Sequence, residues 1–412
     1  MNTYDIIIIG GGASGMMCAI TAAKNGKKVL LLEKLSTLGA KLKATGGGRC
    51  NLTNTLSKED FMQTFGKNGR FISDALNAFD KDDLITFFQN IGLETHTLDG
   101  FRVFPTTHNS LSVLDTLFKE IKNLHVEVIC NCEIEQILTN KERVLGVKTL
   151  EGEYLSKHVV IATGGFGYPT LGGSGDGYRF AKELGHTVST LSPAMMPLHV
   201  KENWVAKCRA DTIAKATIKV DMPKYKKLKA TGDLIFTKNG IRGPVVLDFA
   251  REITPILQKH QEVPLLINLT KGLNEEQIRL HVKKEALANP QQSILNIIAT
   301  LLPISICKEF CKECEIDENI TYAKLNPQKR DTLIKLLTWT PLCVVGHDGF
   351  KNAMVTRGGV SLKEIEPKSM QSKLVKGLYF CGEVVDIDGP CGGFNLQWAF
   401  SSGYLAGCLK EM

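Results

Sequence analysis

Residues 5 to 9, Asp-Ile-Ile-Ile-Ile, run straight into Gly10-Gly11-Gly12-Ala13-Ser14-Gly15, and this junction narrows the fold more than any other stretch. An apolar run rich in β-branched side chains is what a parallel strand buried on both faces needs. The glycines satisfy G-x-G-x-x-G. Gly10 allows the tight turn, Gly12 lets the backbone approach a pyrophosphate, and Gly15 lets helix and strand pack closely. A helix is predicted from Ala13 and Ser14 onward, with Met16, Ile20 and Ala23 on one face and Gly26 past its end. Its first N–H groups and positive dipole end would face the phosphates. A second apolar strand, Val29–Leu32, delivers Glu33, followed by Lys34. A carboxylate there accepts a ribose 2′-hydroxyl and repels a 2′-phosphate. Strand, glycines, helix, strand and acid in this order predict a dinucleotide site for FAD or NAD(H), not NADP(H). A lone glycine cluster would predict only a turn.

The chain has 412 residues, too many for one ordinary core, so two or three domains are expected. A hydrophobic content of 43% with 23% charged residues is that of a soluble globular protein. The N-terminus enters a core strand without a cleavage region, and no apolar stretch approaches the ~20 residues that span a bilayer. A cytoplasmic protein without a membrane partner is expected. Twelve cysteines in such a chain read as reduced thiols. Cys307, Cys311 and Cys314 share one face of a predicted helix, as a core stripe does, and no fourth ligand is near; no metal is expected. The net charge of +7 is modest. Lysines crowd between 201 and 229, among them Lys224, Lys226, Lys227 and Lys229. A solvated loop is the expectation, with an RNA or other polyanion contact as the alternative.

Further along, Gly39 to Asn54 is glycine-rich and polar, and reads as a loop rather than the interior of an element. Gly46, Gly47 and Gly48, flanked by Lys41, Thr45, Arg49 and Asn51, can present amides and cations to a second anionic or polar ligand surface. Helices are predicted over 71–90, on Phe71, Ala75 and Phe79, and over 110–122. Strands are predicted within 126–149, with a hairpin around Asn140-Lys141-Glu142. Val159-Val160-Ile161-Ala162-Thr163-Gly164-Gly165 reads as a buried parallel strand whose end lies at the ligand crevice. Residues 173–186 turn through glycines into a short helix. Neither of these glycine clusters completes a second dinucleotide fold. Residues 192–270 read as short alternating strands, such as 217–220 and 263–269, and 271–337 as helical. Strand-like segments return at 342–345 and 351–355. The last strand, 378–380, ends in Gly382-Glu383 and leads through Asp386, Gly392, Gly393, Phe394 and Asn395 into a helix. That helix N-terminus can face the negative charge of a reduced flavin; an ordinary amphipathic helix is the alternative.

With these residues in view, the chain resembles bacterial flavoproteins of the BaiN and aminoacetone oxidase (YhiN-like) type over essentially its full length. The resemblance rests on the N-terminal glycines with Glu33, on Thr45-Gly46-Gly47-Gly48-Arg49-Cys50-Asn51-Leu52-Thr53-Asn54, on Phe236-Thr237 and Gly243-Pro244, on Val355-Thr356-Arg357-Gly358-Gly359-Val360, and on Gly382-Glu383 through Gly392-Gly393-Phe394-Asn395. Two departures stand out: Ala40 where arginine is expected, and Arg242 where serine is usual. The resemblance implies an α/β protein with a discontinuous Rossmann-like FAD-binding domain (1–191 and 366–412). Into it would be set a β-barrel-like substrate domain (192–270 and 338–365) and a helical insert (271–337). It implies non-covalent FAD, since the first histidine, His96, lies outside the glycine-rich loops.

The expected cofactor contacts follow. Gly10, Gly12, Ala13, Ser14 and Gly15 hold the pyrophosphate, and Glu33 with Lys34 the adenosine end. Thr45, Gly46, Gly48, Arg49, Cys50 and Asn51 lie beside the isoalloxazine, Lys41 and Leu52 are further cofactor contacts flanking them, and Ala162, Thr163, Gly164 and Gly165 lie at the crevice. Glu383 with Gly392 and Gly393 holds the ribityl and pyrimidine end, with Gly382, Asp386, Phe394 and Asn395 as further cofactor contacts. Thr356, Arg357, Gly358 and Gly359, with Arg49, are candidates for the substrate side. No catalytic acid or base can be named. The expected function is that of an FAD-dependent oxidoreductase acting on a small organic substrate. Both an amine oxidase and an NAD(P)H-driven reductase remain open, with NAD(P)H a diffusible donor sharing the substrate cleft. The alternatives are an RNA-modifying flavoprotein using residues 201–229 and a flavin-bearing protein without turnover. The oligomeric state is not readable.

Overall fold

The computed structural model describes residues 3–98, 100–140 and 142–409, so Lys141 of the expected hairpin lies outside the described residues. The chain divides into two compact units, Met1–Pro193 with Ala353–Met412, and Ala194–Asn352.

The first unit is built on a five-stranded parallel sheet in the order Leu378–Phe380, Val159–Ile161, Ile6–Ile9, Val29–Leu32, Glu127–Ile129. Its central strand, Ile6–Ile9, is buried at every position, which is why it carries isoleucine throughout and no polar alternation. From that strand the chain first builds outward on one side and later returns on the other. The strand order therefore reverses between Ile6–Ile9 and Val159–Ile161, the kind of crevice in which open α/β sheets bind ligands. Two helices cover this point. Ala13–Lys24 follows the glycine turn, and Phe394–Gly407 packs on it where a Cβ on Gly403 would stand 2.3 Å from the Ser14 carbonyl oxygen. The C-terminal helix is buried along most of its length and has no exposed polar face, unlike an amphipathic helix.

Three details differ from the sequence expectation, two in this unit and one at the end of the second. Residues 71–90 form two helices, Ser73–Ala78 and Lys81–Asn90, because Asp80 starts the second one with a capping box: its carboxylate accepts from Asp82 and Asp83 N–H while Asp83 accepts from Asp80 N–H. Asp80→Ala should cost about 1 kcal/mol, read as a lower midpoint in urea unfolding. The segment after Gly39 is not all loop, since Ala40–Ala44 is a short helix and Thr45–Gly48 a tight turn with left-handed Gly46 and Gly47. Residues 349–351 form a single helical turn, and only Val355–Arg357 is a strand.

The second unit contains a closed six-stranded antiparallel barrel in the order Leu198–Val200, Gly240–Arg242, Lys229–Phe236, Thr212–Val220, Val263–Asn268, Thr340–His347. Within the stretch read as short strands lies a helix, Pro244–His260. Pro244 occupies its first turn, behind Gly243 at φ 110°. Val245, Val246, Phe249, Ala250, Ile253, Ile256 and Leu257 form its buried stripe, a helical period set among β-periodic neighbours. Helices Glu275–Ala288, Ile304–Glu313 and Pro327–Thr338 follow. Cys307, Cys311 and Cys314 are buried there, and burial pushes their thiols up to about 12, 11 and 11. Of the lysines read as a solvated loop, Lys224, Lys226 and Lys227 do lie on an exposed turn, whereas Lys215 and Lys219 lie on strand Thr212–Val220 and Lys229 begins strand Lys229–Phe236. Among the described residues no helix is long and apolar enough to cross a membrane.

Candidate functional site

The glycine turn is held by packing at two of its three positions and open at the third. Gly10 sits at φ 102°, and a Cβ there would stand 2.7 Å from the Ala162 carbonyl oxygen. A Cβ on Gly15 would stand 1.9 Å from the Gly10 oxygen. Gly12 has ordinary extended angles, φ −77° and ψ −171°, and a Cβ there would meet nothing within 4 Å. No packing in the first unit demands glycine at this position. What its absent side chain leaves bare is the N-terminus of helix Ala13–Lys24, which no side chain caps. Such an end, with a backbone that a ligand can approach closely, is an anion site.

Glu33 has a role that sequence spacing did not disclose. One carboxylate oxygen accepts from Gly11 N–H at 2.7 Å and the other from Leu35 N–H at 2.9 Å. The acid expected at a ribose thus also ties the glycine turn to the end of the second strand. Next to it, Lys34 pairs with Asp176 at 3.3 Å, at the start of helix Asp176–Glu183.

A second cluster joins three distant segments. Lys41 Nζ lies 2.7 Å from Glu383 Oε2, and Glu383 Oε1 accepts from Thr356 N–H at 2.7 Å. The Thr356 hydroxyl in turn accepts from Phe166 and Gly167 N–H at 2.8 and 3.2 Å. Gly165 leaves room for this junction, since a Cβ there would stand 2.4 Å from Glu383 Oε1. Tyr178 closes the cluster, its hydroxyl 3.4 Å from the Glu383 carbonyl oxygen; burial, then the nearby Glu383 charge, hold its pKa well above the usual phenol value. Arg357 is half-buried, while Gly358 and Gly359 pack on backbone at Thr190 and at Val384 to Asp386. Asp386 accepts from the Ser189 hydroxyl at 2.7 Å.

The two most distinctive runs meet as a clasp. Asn54 Nδ2 donates to the Gly392 oxygen at 2.8 Å, and a Cβ on Gly393 would stand 2.5 Å from Thr53 backbone atoms. With its amide turned to suit its surroundings, Asn51 accepts from Gly393 N–H at 2.9 Å and donates to the Thr53 and Val103 oxygens. Asn395 closes the loop before the last helix by pairing both ways with Gly389. Phe394 is buried in an aromatic group, 4.9 Å from Phe61. Leu52 is buried, and Cys50 is buried at φ 60° with its thiol pushed up to about 12 by burial, which makes it inert rather than reactive. Arg49 is exposed, beside the turn of Thr45, Gly46 and Gly48. Thr163 is an orphan: among the described residues its buried hydroxyl has no partner.

Three of these residues were missed by the sequence reading: Asp176, Tyr178 and Asn54. Asp176 and Tyr178 lie in the stretch 173–186 that turns through glycines into a short helix, and Asn54 ends the Thr45 to Asn54 run, so the signal was there, but not which partner each would meet. Among the described residues no group of three or more His, Cys, Asp or Glu side chains gathers as a metal site.

A switch-point crevice, an uncapped helix end behind Gly12, an acid at the second strand and an orphaned Thr163 suit a bound dinucleotide. The family described as HI0933-like protein Rossmann domain matches residues 4–409. The chain belongs to this family. The HI0933-like family is one of FAD-dependent oxidoreductases, and the chain is an enzyme of that kind. Within it, the chain is 31% identical over 402 residues to the 3-dehydro-bile acid delta(4,6)-reductase of Clostridium scindens, covering 97% of each chain. It is 29% identical over 413 residues to the ribosomal RNA dihydrouridine synthase of Escherichia coli, covering 100% of this chain and 98% of that one. The fold is similar to the open conformation of a flavocytochrome c3 fumarate reductase, with TM-score 0.55 at 16% identity over 98% of this chain and 78% of the other.

Proposed function

We propose that this HI0933-like protein is a flavin-dependent reductase that saturates a carbon–carbon double bond conjugated to a carbonyl group in a small organic molecule. The observation that carries this reading is the full-length likeness to the bile acid reductase, whose double bonds lie in conjugation with a 3-keto group. The dihydrouridine synthase works on a bond of the same electronic kind, since the uracil C5–C6 double bond is conjugated to the C4 carbonyl. An amine oxidase would share the fold, but neither relative supports that chemistry.

FAD, held non-covalently, would supply hydride transfer. The chain supplies position. Gly10, Gly12 and Gly15 with the helix end behind them would hold the pyrophosphate, Glu33 the adenosine ribose, and the clasp of Asn51, Asn54, Gly392 and Gly393 the far end. The Lys41–Glu383–Thr356 junction would keep the segments around it in register. Overall, NAD(P)H and a proton would be consumed as the double bond gains two hydrogens, the hydride arriving at the β-carbon and the proton at the α-carbon.

A second reading, that the conjugated bond is a uracil within RNA, is favoured by the lysines of the barrel hairpin. Lys215, Lys224, Lys226, Lys227 and Lys229 are all exposed there. It predicts binding to RNA that falls steeply with salt and exceeds binding to unrelated duplex.

The test is an anaerobic titration of the holoprotein. NADH or NADPH should bleach the flavin band, and a cyclic enone such as 2-cyclohexenone should restore it, with cyclohexanone formed. Bleaching by aminoacetone alone, with no recovery on adding enone, would sink the reductase reading.

A further inference from the structure

We infer that Arg49 is a pre-set fork for a carboxylate on the substrate, so that the reduced molecule carries an acid group besides its conjugated bond. This rests on the reductase reading above. The Arg49 side chain is held near its base. Its Nε donates to the Gly46 oxygen at 3.3 Å, and its guanidinium carbon lies 5.5 Å from the centre of the Phe104 ring. The hydrogen bond uses Nε at the base of the guanidinium group, not its two terminal nitrogens. The two terminal nitrogens, which make the bidentate edge, pair with no carboxylate among the described residues. A planar fork fixed in this way has already lost much of the freedom that a surface arginine gives up on binding. Two parallel N–H bonds to one carboxylate are the interaction its shape suits best.

The surroundings point the same way. Phe104 is buried, and its strand, Arg102–Pro105, pairs with Thr53–Asn54, which holds Gly392. The fork therefore stands on the same small sheet as the clasp. The Arg102 guanidinium lies 5.9 Å from the centre of the same ring, adding positive potential there. Lys41, one of the two lysines on the preceding helix Ala40–Ala44, is committed to Glu383. Gly47 and Gly48 meet nothing within 4 Å of a Cβ, so the backbone just before the fork is open. A residue that only braced the loop would need its Nε alone. Were Arg49 only such a brace, Arg49→Gln or Arg49→Lys would loosen the loop without changing how an acid is told from its amide.

The experiment uses FAD-loaded protein and reads the flavin band without turnover. The probes are cyclohexanecarboxylate and its neutral isostere cyclohexanecarboxamide, neither of which has a double bond to reduce. The acid should perturb the band saturably, and Arg49→Gln should weaken it at least about tenfold, with a smaller loss in Arg49→Lys and no change for the amide. Equal binding of acid and amide by the native protein, or unchanged acid binding in Arg49→Gln, would overturn the inference. Should Arg49→Gln lose flavin, Phe104→Leu takes its place, removing the seat and keeping the charge. A selective loss for the acid then supports the fork, and no loss overturns it. If 2-cyclohexenone is reduced but the acid does not bind, the inference fails alone. If no conjugated bond reoxidises the flavin, the reductase reading fails while the acid-against-amide comparison still decides Arg49. Salt-sensitive RNA binding lost in Arg49→Gln, without acid binding, would overturn the carboxylate in favour of a phosphate.

Discussion

Gly12→Ala should leave the protein folded and strip it of flavin, whereas Gly15→Ala should damage the fold itself. The two glycines are three residues apart in one turn, yet their surroundings are opposite. At Gly12 the angles suit any residue and an added methyl group meets no protein atom, so thermal unfolding of the apoprotein should not move. The methyl would instead occupy the face at which a phosphate approaches the helix end. Losing one or two charge-assisted bonds there costs about 2–3 kcal/mol, or roughly 30- to 150-fold in FAD affinity. At Gly15 the added atom would stand 1.9 Å from the Gly10 oxygen. Gly10 cannot retreat, because it already lies against the Ala162 and Thr163 backbone. An overpacked contact between backbone segments should cost about 3 kcal/mol, a fall of roughly 6–12 °C in the unfolding midpoint of a unit this size. Differential scanning fluorimetry of both apoproteins and fluorescence titration with FAD would separate the two effects. Equal loss of stability in both variants would show that Gly12 is packed rather than open.

Glu383→Ala should be the most damaging single change outside the glycine turn. It removes the partner of Lys41 and the acceptor for Thr356 N–H at once. The pair is only partly buried, with side-chain exposures of 27% and 20%, so the cost should lie below that of a fully buried pair, at about 2 kcal/mol. Glu383→Gln can keep the Thr356 bond while losing the charge, and should fall between. Lys41→Met alone leaves Glu383 with an unpaired charge, while the double variant restores neutrality. A double-mutant cycle on urea unfolding should therefore give a coupling of about 1 kcal/mol. Flavin retention should fall in each single variant, because the junction spans the segments before Thr45, after Gly165 and after Gly382. A coupling indistinguishable from zero would mean that the pair is incidental.

Much of this was legible in the chain because the relevant physics is local. Four isoleucines in a row can only be satisfied by burial on both faces. A glycine at φ 102° hard against a carbonyl has no substitute at Gly10. Those facts carry the first βαβ unit, the parallel strand at Val159–Ile161 and the C-terminal return. Where the reading failed, a competing local signal was weaker than its neighbours. The helix Pro244–His260 was hidden among β-periodic segments, and the break at Asp80 was lost within an apolar periodicity that continued across it. The lysines between 201 and 229 read as a loop from charge alone, although alternation with buried Ile213, Ala216 and Ile218 makes part of the stretch a barrel strand.

The sequence by itself determined the dinucleotide fold and the residue types at the site, because turns, periods and glycine conformations are properties of a few neighbouring residues. Only the tertiary structure decided the partners. That Glu33 spans the glycine turn, that Lys41 is spent on Glu383, and that Asn51 and Asn54 clasp Gly392 and Gly393 are contacts across up to 342 positions of chain. Such contacts depend on which elements the sheet order brings side by side, and a carboxylate or an amide carries no mark in sequence of the group it will meet.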